Sequence, residues 1–173
     1  MAMVEIALRT ILALVFAIAF ISKVRSASAF GEFASSLNDI GWLPRPGRAA
    51  AARLIPLSEA AVVVLLVVPA TVALGFGLGG LLLAGFTVVT GAEVANGRQV
   101  QCRCFGAGSA PIGPAQIARN VVLLAVSLAG LAIEPISHGH ATGAALVLAL
   151  GLAVLAAVAL VRWDDLVYLV RTP

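Results

Sequence analysis

Charged residues are scarce in this chain, and their scarcity excludes most soluble folds. Only 11% of the 173 residues are charged, whereas 61% are hydrophobic; soluble domains carry about 25% charged residues. Between Ala60 and Ala92 there is no ionisable side chain. An apolar run of that length is typical of membrane helices. The composition therefore predicts an integral membrane protein with no room for a second, soluble domain, and we expect residues 1–173 to form a single transmembrane domain.

Aromatic residues and histidines are also few, and this argues against nucleic acid and against metal ions as ligands. The net charge of +3 comes from lysines and arginines in the predicted connections. They form no basic helical stripe and have no aromatic stacking platform beside them, so we expect no nucleic-acid partner. The two histidines, His138 and His140, lie in a short loop without a third ligand nearby, and we expect no metal site.

Five hydrophobic segments are long enough to cross a bilayer. Residues 54–94 would form a single helix about 60 Å long, twice the thickness of a hydrocarbon core, so this stretch must fold back near Pro69. The predicted spans are residues 4–21, 54–68, 74–94, 114–133 and 141–161. The predicted fold is thus all-α: a polytopic membrane bundle of about five transmembrane helices, with the lipid membrane as its surroundings.

Shorter patterns predict how these spans pack. Apolar residues at spacings of three and four over residues 30–40 predict a short amphipathic helix at the membrane interface. Gly75 and Gly79 have the spacing that lets membrane helices approach closely. Thr87 and Ser127 are expected to hydrogen-bond to carbonyl groups of their own helices.

An odd number of spans determines which connections share a membrane face. One end of the bundle receives the end of the first span, the start of the second, the end of the third and the start of the fourth. The residues that gather there are Lys23, Arg25, Glu59, Glu93, Cys102, Cys104, Arg119 and Asn120. The connections at this end also carry most of the lysines and arginines, whereas the other end carries Arg9 and little else. The positive-inside rule therefore predicts that this end is cytoplasmic.

The only two cysteines, Cys102 and Cys104, flank Arg103 in the stretch QCRCFGAG, residues 101–108. Two thiols at this spacing can cycle between dithiol and disulfide, bind a soft metal, or be inert small hydrophobes. A disulfide closed over one residue forms a small strained ring, which suits exchange better than stability. The neighbouring Arg103 favours the reactive thiolate. Copper(I) accepts two thiolates, but no methionine or histidine cluster accompanies this pair.

Several ionisable or polar side chains fall within the spans or at their ends. They are Lys23, Glu59, Glu93, Arg119 and Asn120. Charges inside membrane helices are costly and usually pair in the bundle interior. One interpretation is a salt-bridged layer that fixes helix packing. The other is that these side chains line a redox site, where Glu59 or Glu93 handles protons and Arg119 steadies a thiolate or a quinone oxygen. The two interpretations are compatible.

The order of these motifs resembles a known family. It consists of Lys23, the stretch Gly41-Trp42-Leu43-Pro44, then Pro56-Leu57-Ser58-Glu59, a glycine-rich third span, Gly97-Arg98, Cys102-Arg103-Cys104-Phe105-Gly106 and Arg119-Asn120. This order is similar to that of the methylamine utilisation protein MauE family, related to DoxX-like membrane proteins. The similarity extends to about residue 135, and its most specific element is Cys-x-Cys-Phe-Gly.

The resemblance implies a DoxX-like four-helix core and a role in thiol–disulfide chemistry. By this resemblance, Cys102 and Cys104 are the redox pair, supported by the five polar side chains named above and by Arg103. The implied partners are a thioredoxin-like protein and a client whose disulfides must form, such as methylamine dehydrogenase. The implied location is the cell inner (plasma) membrane.

The resemblance leaves the direction of electron flow open. In a quinone-coupled oxidase, Cys102 and Cys104 take electrons from a partner dithiol and pass them to quinone, which for an exported client requires the cysteines outside. In a thiol conveyor, electrons enter from cytoplasmic thioredoxin, which agrees with the predicted cytoplasmic side. A separate alternative is a non-catalytic membrane scaffold, in which the cysteines are incidental and the glycine-rich span is the partner surface.

Overall fold

The computed structural model describes residues 2–40, 44–96, 114–136 and 143–163, and the regular secondary structure in these ranges is entirely helical. Five helices in these ranges are long and apolar enough to cross a membrane, which confirms the predicted fold class. They are α1 (Ala2–Val24), α3 (Arg45–Val67), α4 (Val72–Ala95), α5 (Pro114–Ile133) and α6 (Ala144–Val161). A shorter helix, α2 (Ala27–Ser36), follows α1.

The predicted ends of most spans are close to the observed ones, but α3 is an exception. Helix α5 has the predicted bounds, whereas α3 begins at Arg45, nine residues before the predicted residue 54. Pro46 fits the first helical turn, and the four alanines at 49–52 are the best helix formers. The predicted start at residue 54 would put Glu59 about one turn into its span, and this was wrong, because Glu59 lies fourteen residues after Arg45.

Four of the long helices form a ring around a common core. Helix α1 packs against α3, α3 against α4, α4 against α5, and α5 against α1. Helix α6 lies outside this ring and packs on α1. The core is apolar, with the fully buried side chains of Leu12, Val62, Leu66, Phe76 and Leu123 contributed by all four ring helices. This ring is the frame that positions the buried polar groups described below.

Glycines of α4 allow the ring helices to approach closely. A Cβ atom at Gly75 would lie 2.8 Å from the side chain of Leu66, and one at Gly79 would lie 3.1 Å from Leu12. The predicted close approach at these glycines is therefore present, but it occurs inside the bundle. This face of α4 is covered by α1 and α3, so the scaffold alternative would need the other face, where Gly77, Gly85 and Gly91 have open space around them.

The hydroxyl groups on α4 and α5 differ in where they bond. Thr87 donates to the carbonyl of Leu83 in its own helix at 2.7 Å, as expected. Ser127 was expected to do the same, and that expectation was wrong. It donates across the interface to the carbonyl of Phe76 in α4, at 2.6 Å. The close packing of α4 on α5 makes this carbonyl accessible, and the bond fixes the register of the two helices.

The segment predicted as an amphipathic helix over residues 30–40 is helical as α2 followed by a 3₁₀ turn at Leu37–Asp39, and its apolar side packs on the protein. The hydroxyl of Ser26 caps the helix by accepting from the amide of Ala29 at 3.1 Å. Phe33 and Leu37 are buried and form a second small core with Ala52 of α3. The apolar side of α2 thus packs on the long N-terminal part of α3 that the sequence did not predict.

The turn between α3 and α4 falls at the predicted proline, with a single 3₁₀ turn at Pro69–Thr71. The end of α3 is capped by Arg9 of α1, whose guanidinium donates to the carbonyls of Leu66 and Val67. The hydroxyl of Thr71 donates to the carbonyl of Leu65 at 2.9 Å. These bonds satisfy carbonyl groups that a helix end otherwise leaves without partners.

Candidate functional site

A buried ion pair joins the end of α1 to the middle of α3. The Nζ atom of Lys23 lies 2.8 Å from Oε1 of Glu59, and the two side chains are only 1% and 2% exposed. Lys23 also donates to the carbonyl of Ala19 at 3.2 Å. Such burial is rare for charged groups unless they are paired. The pair therefore sets the relative position of α1 and α3 at this end of the bundle.

Helix α2 covers this ion pair. The ring of Phe33 lies with its centroid 5.3 Å from Nζ of Lys23, within the range of a cation–π contact. Phe33 is itself buried. In the sequence, Phe33 was interpreted only as part of an apolar face, and this contact was not predicted. Its only signal in the sequence is an aromatic residue shortly after the lysine that ends the first span. The ring excludes water from the cation and ties α2 to the charged end of α1.

A small cavity lies between α1, α3, α4 and α5, beside the ion pair. Its volume is about 20 Å³, and its polar lining consists of Glu59 and Asn120. The remaining lining is apolar: Val15, Phe16, Ala19, Leu83 and Phe86. Among the residues that the structure describes, no hydrogen-bond donor reaches Oε2 of Glu59. A cavity of this size and polarity suits one water molecule and is far too small for a quinone ring.

The ends of α4 and α5 bring further polar side chains to the same end of the bundle. Thr90 and Glu93 of α4 and Arg119 and Asn120 of α5 are all buried. With Lys23 and Glu59, the buried charges in the described ranges are two cationic and two anionic. This equal number of opposite charges is what a low-dielectric interior tolerates. The structure thus places Lys23, Glu59 and Asn120 together, with Glu93 and Arg119 at the same end.

The cysteine pair and its neighbour, Cys102, Arg103 and Cys104, lie outside the described residues. The last described residue before them is Asn96, directly after α4, and the next is Pro114, the first of α5. Both of these points lie at the end of the bundle that holds the buried charges. In the described ranges, no three histidine, cysteine, aspartate or glutamate side chains are grouped so that they could hold a metal ion.

The fold and its buried polar residues define a class: a multi-pass membrane helix bundle with an ionic site inside one end. The family model of the methylamine utilisation protein MauE matches residues 1–133, and this chain belongs to that family. The matched part contains α1 to α5 and the connection with both cysteines, whereas α6 lies beyond it.

Two relatives support the assignment. The methylamine utilization protein MauE of Paracoccus versutus is 33% identical over 138 residues, which cover 79% of this chain and 73% of the relative. The protein of the same name from Paracoccus denitrificans is 37% identical over 130 residues, 73% of this chain and 68% of the relative. No solved structure matches this chain.

Proposed function

We propose that this protein is a membrane thiol–disulfide redox protein that helps a partner protein to mature, with Cys102 and Cys104 as its reactive pair. The observation that carries the proposal is the position of these two cysteines. They are the only ones in the chain, they are one residue apart, and their connection leaves and rejoins the bundle at the end with the buried charges. Two cysteines without a function would not be expected to lie together in the connection at that end.

The bundle supports such a pair by holding both ends of its connection in place. Helix α4 ends two residues after the buried Glu93, and α5 carries the buried Arg119 in its second turn. The ion pair of Lys23 and Glu59 anchors α1 and α3 at the same end. Both ends of the 17-residue connection, 97–113, start from this end of the bundle, which supports our proposal that its cysteines act on this side of the membrane.

The exchange is a balanced two-electron reaction. A partner thiolate attacks the disulfide between Cys102 and Cys104, which breaks this bond and forms a mixed disulfide. The second partner thiolate then displaces the bound cysteine. The partner leaves with a new disulfide, and the pair holds two electrons and two protons as a dithiol. The reverse sequence reduces the partner. The guanidinium of Arg103 stabilises the cysteine thiolate that leaves in these steps and that attacks in the reverse sequence.

In the oxidising direction the dithiol must be reoxidised, and a membrane quinone is the partner class that accepts its two electrons and two protons. In the reducing direction a thioredoxin-like dithiol supplies two electrons and two protons to the disulfide instead. A quinone would bind outside the cavity at Glu59, which has room for about one water. The buried carboxylate and lysine lie at the end of the bundle from which this connection leaves, and we assign to them the role of holding such protons.

The biological setting follows from the relatives, which are named for methylamine utilisation. We place the client among the exported proteins of methylamine oxidation, with methylamine dehydrogenase as the first candidate. The inner membrane is the compartment in which a multi-pass protein reaches both cytoplasmic thioredoxin and exported clients.

The test replaces each cysteine and measures disulfide formation in the client. Cys102→Ser and Cys104→Ser should each abolish it while the protein still accumulates in the membrane. Ser109→Ala, in the same connection, is the matched control and should retain full activity. Full client maturation in the double cysteine variant would eliminate the redox proposal and leave a scaffold role.

The side of the membrane decides the direction of electron flow. A membrane-impermeant maleimide added to intact cells labels Cys102 and Cys104 only if they face outwards. Labelling would support the oxidase arrangement, whereas protection until the membrane is permeabilised would support entry of electrons from the cytoplasm.

A further inference from the structure

A second polar feature lies away from the buried ion pair, between α2 and the start of α3. It is an open groove of about 240 Å³. Its polar lining consists of Asn38, Arg45 and Arg48, and its remaining lining consists of three alanines, Ala34, Ala49 and Ala52. The groove thus combines two guanidinium groups with apolar walls, and nothing in the thiol chemistry proposed above uses it.

The guanidinium of Arg48 is held across this groove. It donates to Oδ1 of Asn38 and to the carbonyl of Ile40, both at 3.4 Å. These contacts bring the guanidinium from α3 to the turn that follows α2. The N–H groups of a guanidinium match the oxygen atoms of a phosphate. Arg45, one turn earlier and exposed, adds a second cation.

The groove lies at the N-terminal end of the apolar stretch of α3. From Ala49 to Val67, α3 is apolar apart from Arg53, Ser58 and Glu59, whereas Arg45 and Arg48 precede this stretch. Residues 25–53 contain four arginines against two acidic residues. Arginines at the end of an apolar helix are placed to meet lipid headgroups. The charge bias predicts that these are headgroups of the cytoplasmic leaflet, where anionic lipids attract such residues.

We propose that this groove binds the phosphate of an anionic phospholipid, with Arg45 and Arg48 on the phosphate oxygens and the alanines against the glycerol and upper acyl chain. The alanine walls favour a lipid over free phosphate, because a small inorganic anion gains nothing from apolar surface. The bound lipid would fasten α2, the helix that covers Lys23, to α3. This inference does not depend on the thiol chemistry.

The experiment measures lipid binding to the full chain in detergent by native mass spectrometry. Phosphatidylglycerol, the anionic probe, should bind more tightly than zwitterionic phosphatidylcholine. Each arginine beside an anionic headgroup contributes roughly fivefold to binding, so Arg45→Gln/Arg48→Gln should weaken phosphatidylglycerol binding roughly 25-fold. Arg53→Gln is the matched control, because Arg53 is exposed on the same helix but does not line the groove. It should bind phosphatidylglycerol like the unaltered protein.

Two further measurements cover the case in which the double variant does not fold and distinguish a lipid from free phosphate. Arg45→Gln alone changes an exposed side chain and should give the fivefold loss even if the double variant does not fold. Inorganic phosphate at millimolar concentration should not displace phosphatidylglycerol. The proposal is overturned if the double variant binds like the unaltered protein, if Arg53→Gln loses as much affinity, if both lipids bind equally, or if inorganic phosphate displaces the lipid.

Discussion

The ion pair between Lys23 and Glu59 gives the sharpest prediction about stability. The perturbation is Glu59→Gln, which keeps the size of the side chain and removes its charge. At 2.8 Å and an effective dielectric constant near 20, the attraction between the two charges is roughly 6 kcal/mol. Because Lys23 is almost completely buried, its ammonium group cannot turn to water when its partner is lost. We therefore expect the variant to lose about 3–5 kcal/mol of unfolding free energy.

The double variant Lys23→Met/Glu59→Gln tests whether the lost stability comes from breaking the ion pair or from any change at a buried position. Removing both charges also removes the cost of keeping them out of water, so this variant should be much closer to the unaltered protein than the sum of the two single losses. The control is Glu5→Gln. Glu5 lies 3.9 Å from Arg9 in a pair that is 14% and 23% exposed; this pair is longer and less buried than that of Lys23 and Glu59, so its loss should cost less.

The assay is unfolding in lipid–detergent bicelles, followed by helical circular dichroism in a denaturant series. Additive losses in the double variant would refute the reasoning, because they would show that the two charges do not stabilise each other. A loss in Glu59→Gln no larger than that in Glu5→Gln would refute it as well, since it would mean that the carboxylate is not buried with its partner.

Two further predictions concern helix packing. A Cβ atom at Gly130 would overlap the ring of Phe76, so Gly130→Ala should cost about 1–3 kcal/mol of unfolding free energy. Gly77 has open space around it, so Gly77→Ala should be neutral or stabilise by up to about 1 kcal/mol. Equal effects of the two substitutions in the same unfolding assay would contradict this packing. Arg9→Met removes the donors to two carbonyls at the end of α3 and should cost about 1–3 kcal/mol of unfolding free energy, with partial recovery in Arg9→Lys. If Arg9→Met leaves the unfolding free energy unchanged, these bonds do not stabilise the turn.

Hydropathy predicted the spans well because a bilayer imposes both length and apolar composition on a helix. It failed at the start of α3, where Arg45 and Arg48 made the sequence look like a connection. Helix propensity and the contact with α2 decide the structure there, and neither contributes to a hydropathy average. The same error put Glu59 near the predicted start of its span, whereas it lies far from the start of α3.

Counting spans brought the polar residues of the site to one end but could not pair them. Lys23, Arg25 and Arg119 were all possible partners of Glu59 on that argument, and only the packing of α1 on α3 selects Lys23. The cavity beside Asn120 depends on side chains from four helices and has no signature in the sequence. The capping of α3 by Arg9 was not predicted, because every helix ends in carbonyl acceptors and the sequence does not show which side chain reaches them.

The central claim, that Cys102 and Cys104 exchange disulfides with a partner, is tested most directly by trapping the mixed disulfide. Cells carrying Cys102→Ser or Cys104→Ser are quenched with acid, and the membrane proteins are separated without reductant. One of the single-cysteine variants should form a covalent adduct with a thioredoxin-like protein or with the client. The adduct should disappear on reduction and be absent from the double variant. If neither variant forms an adduct while the unaltered protein supports client maturation, the thiol-exchange account is wrong.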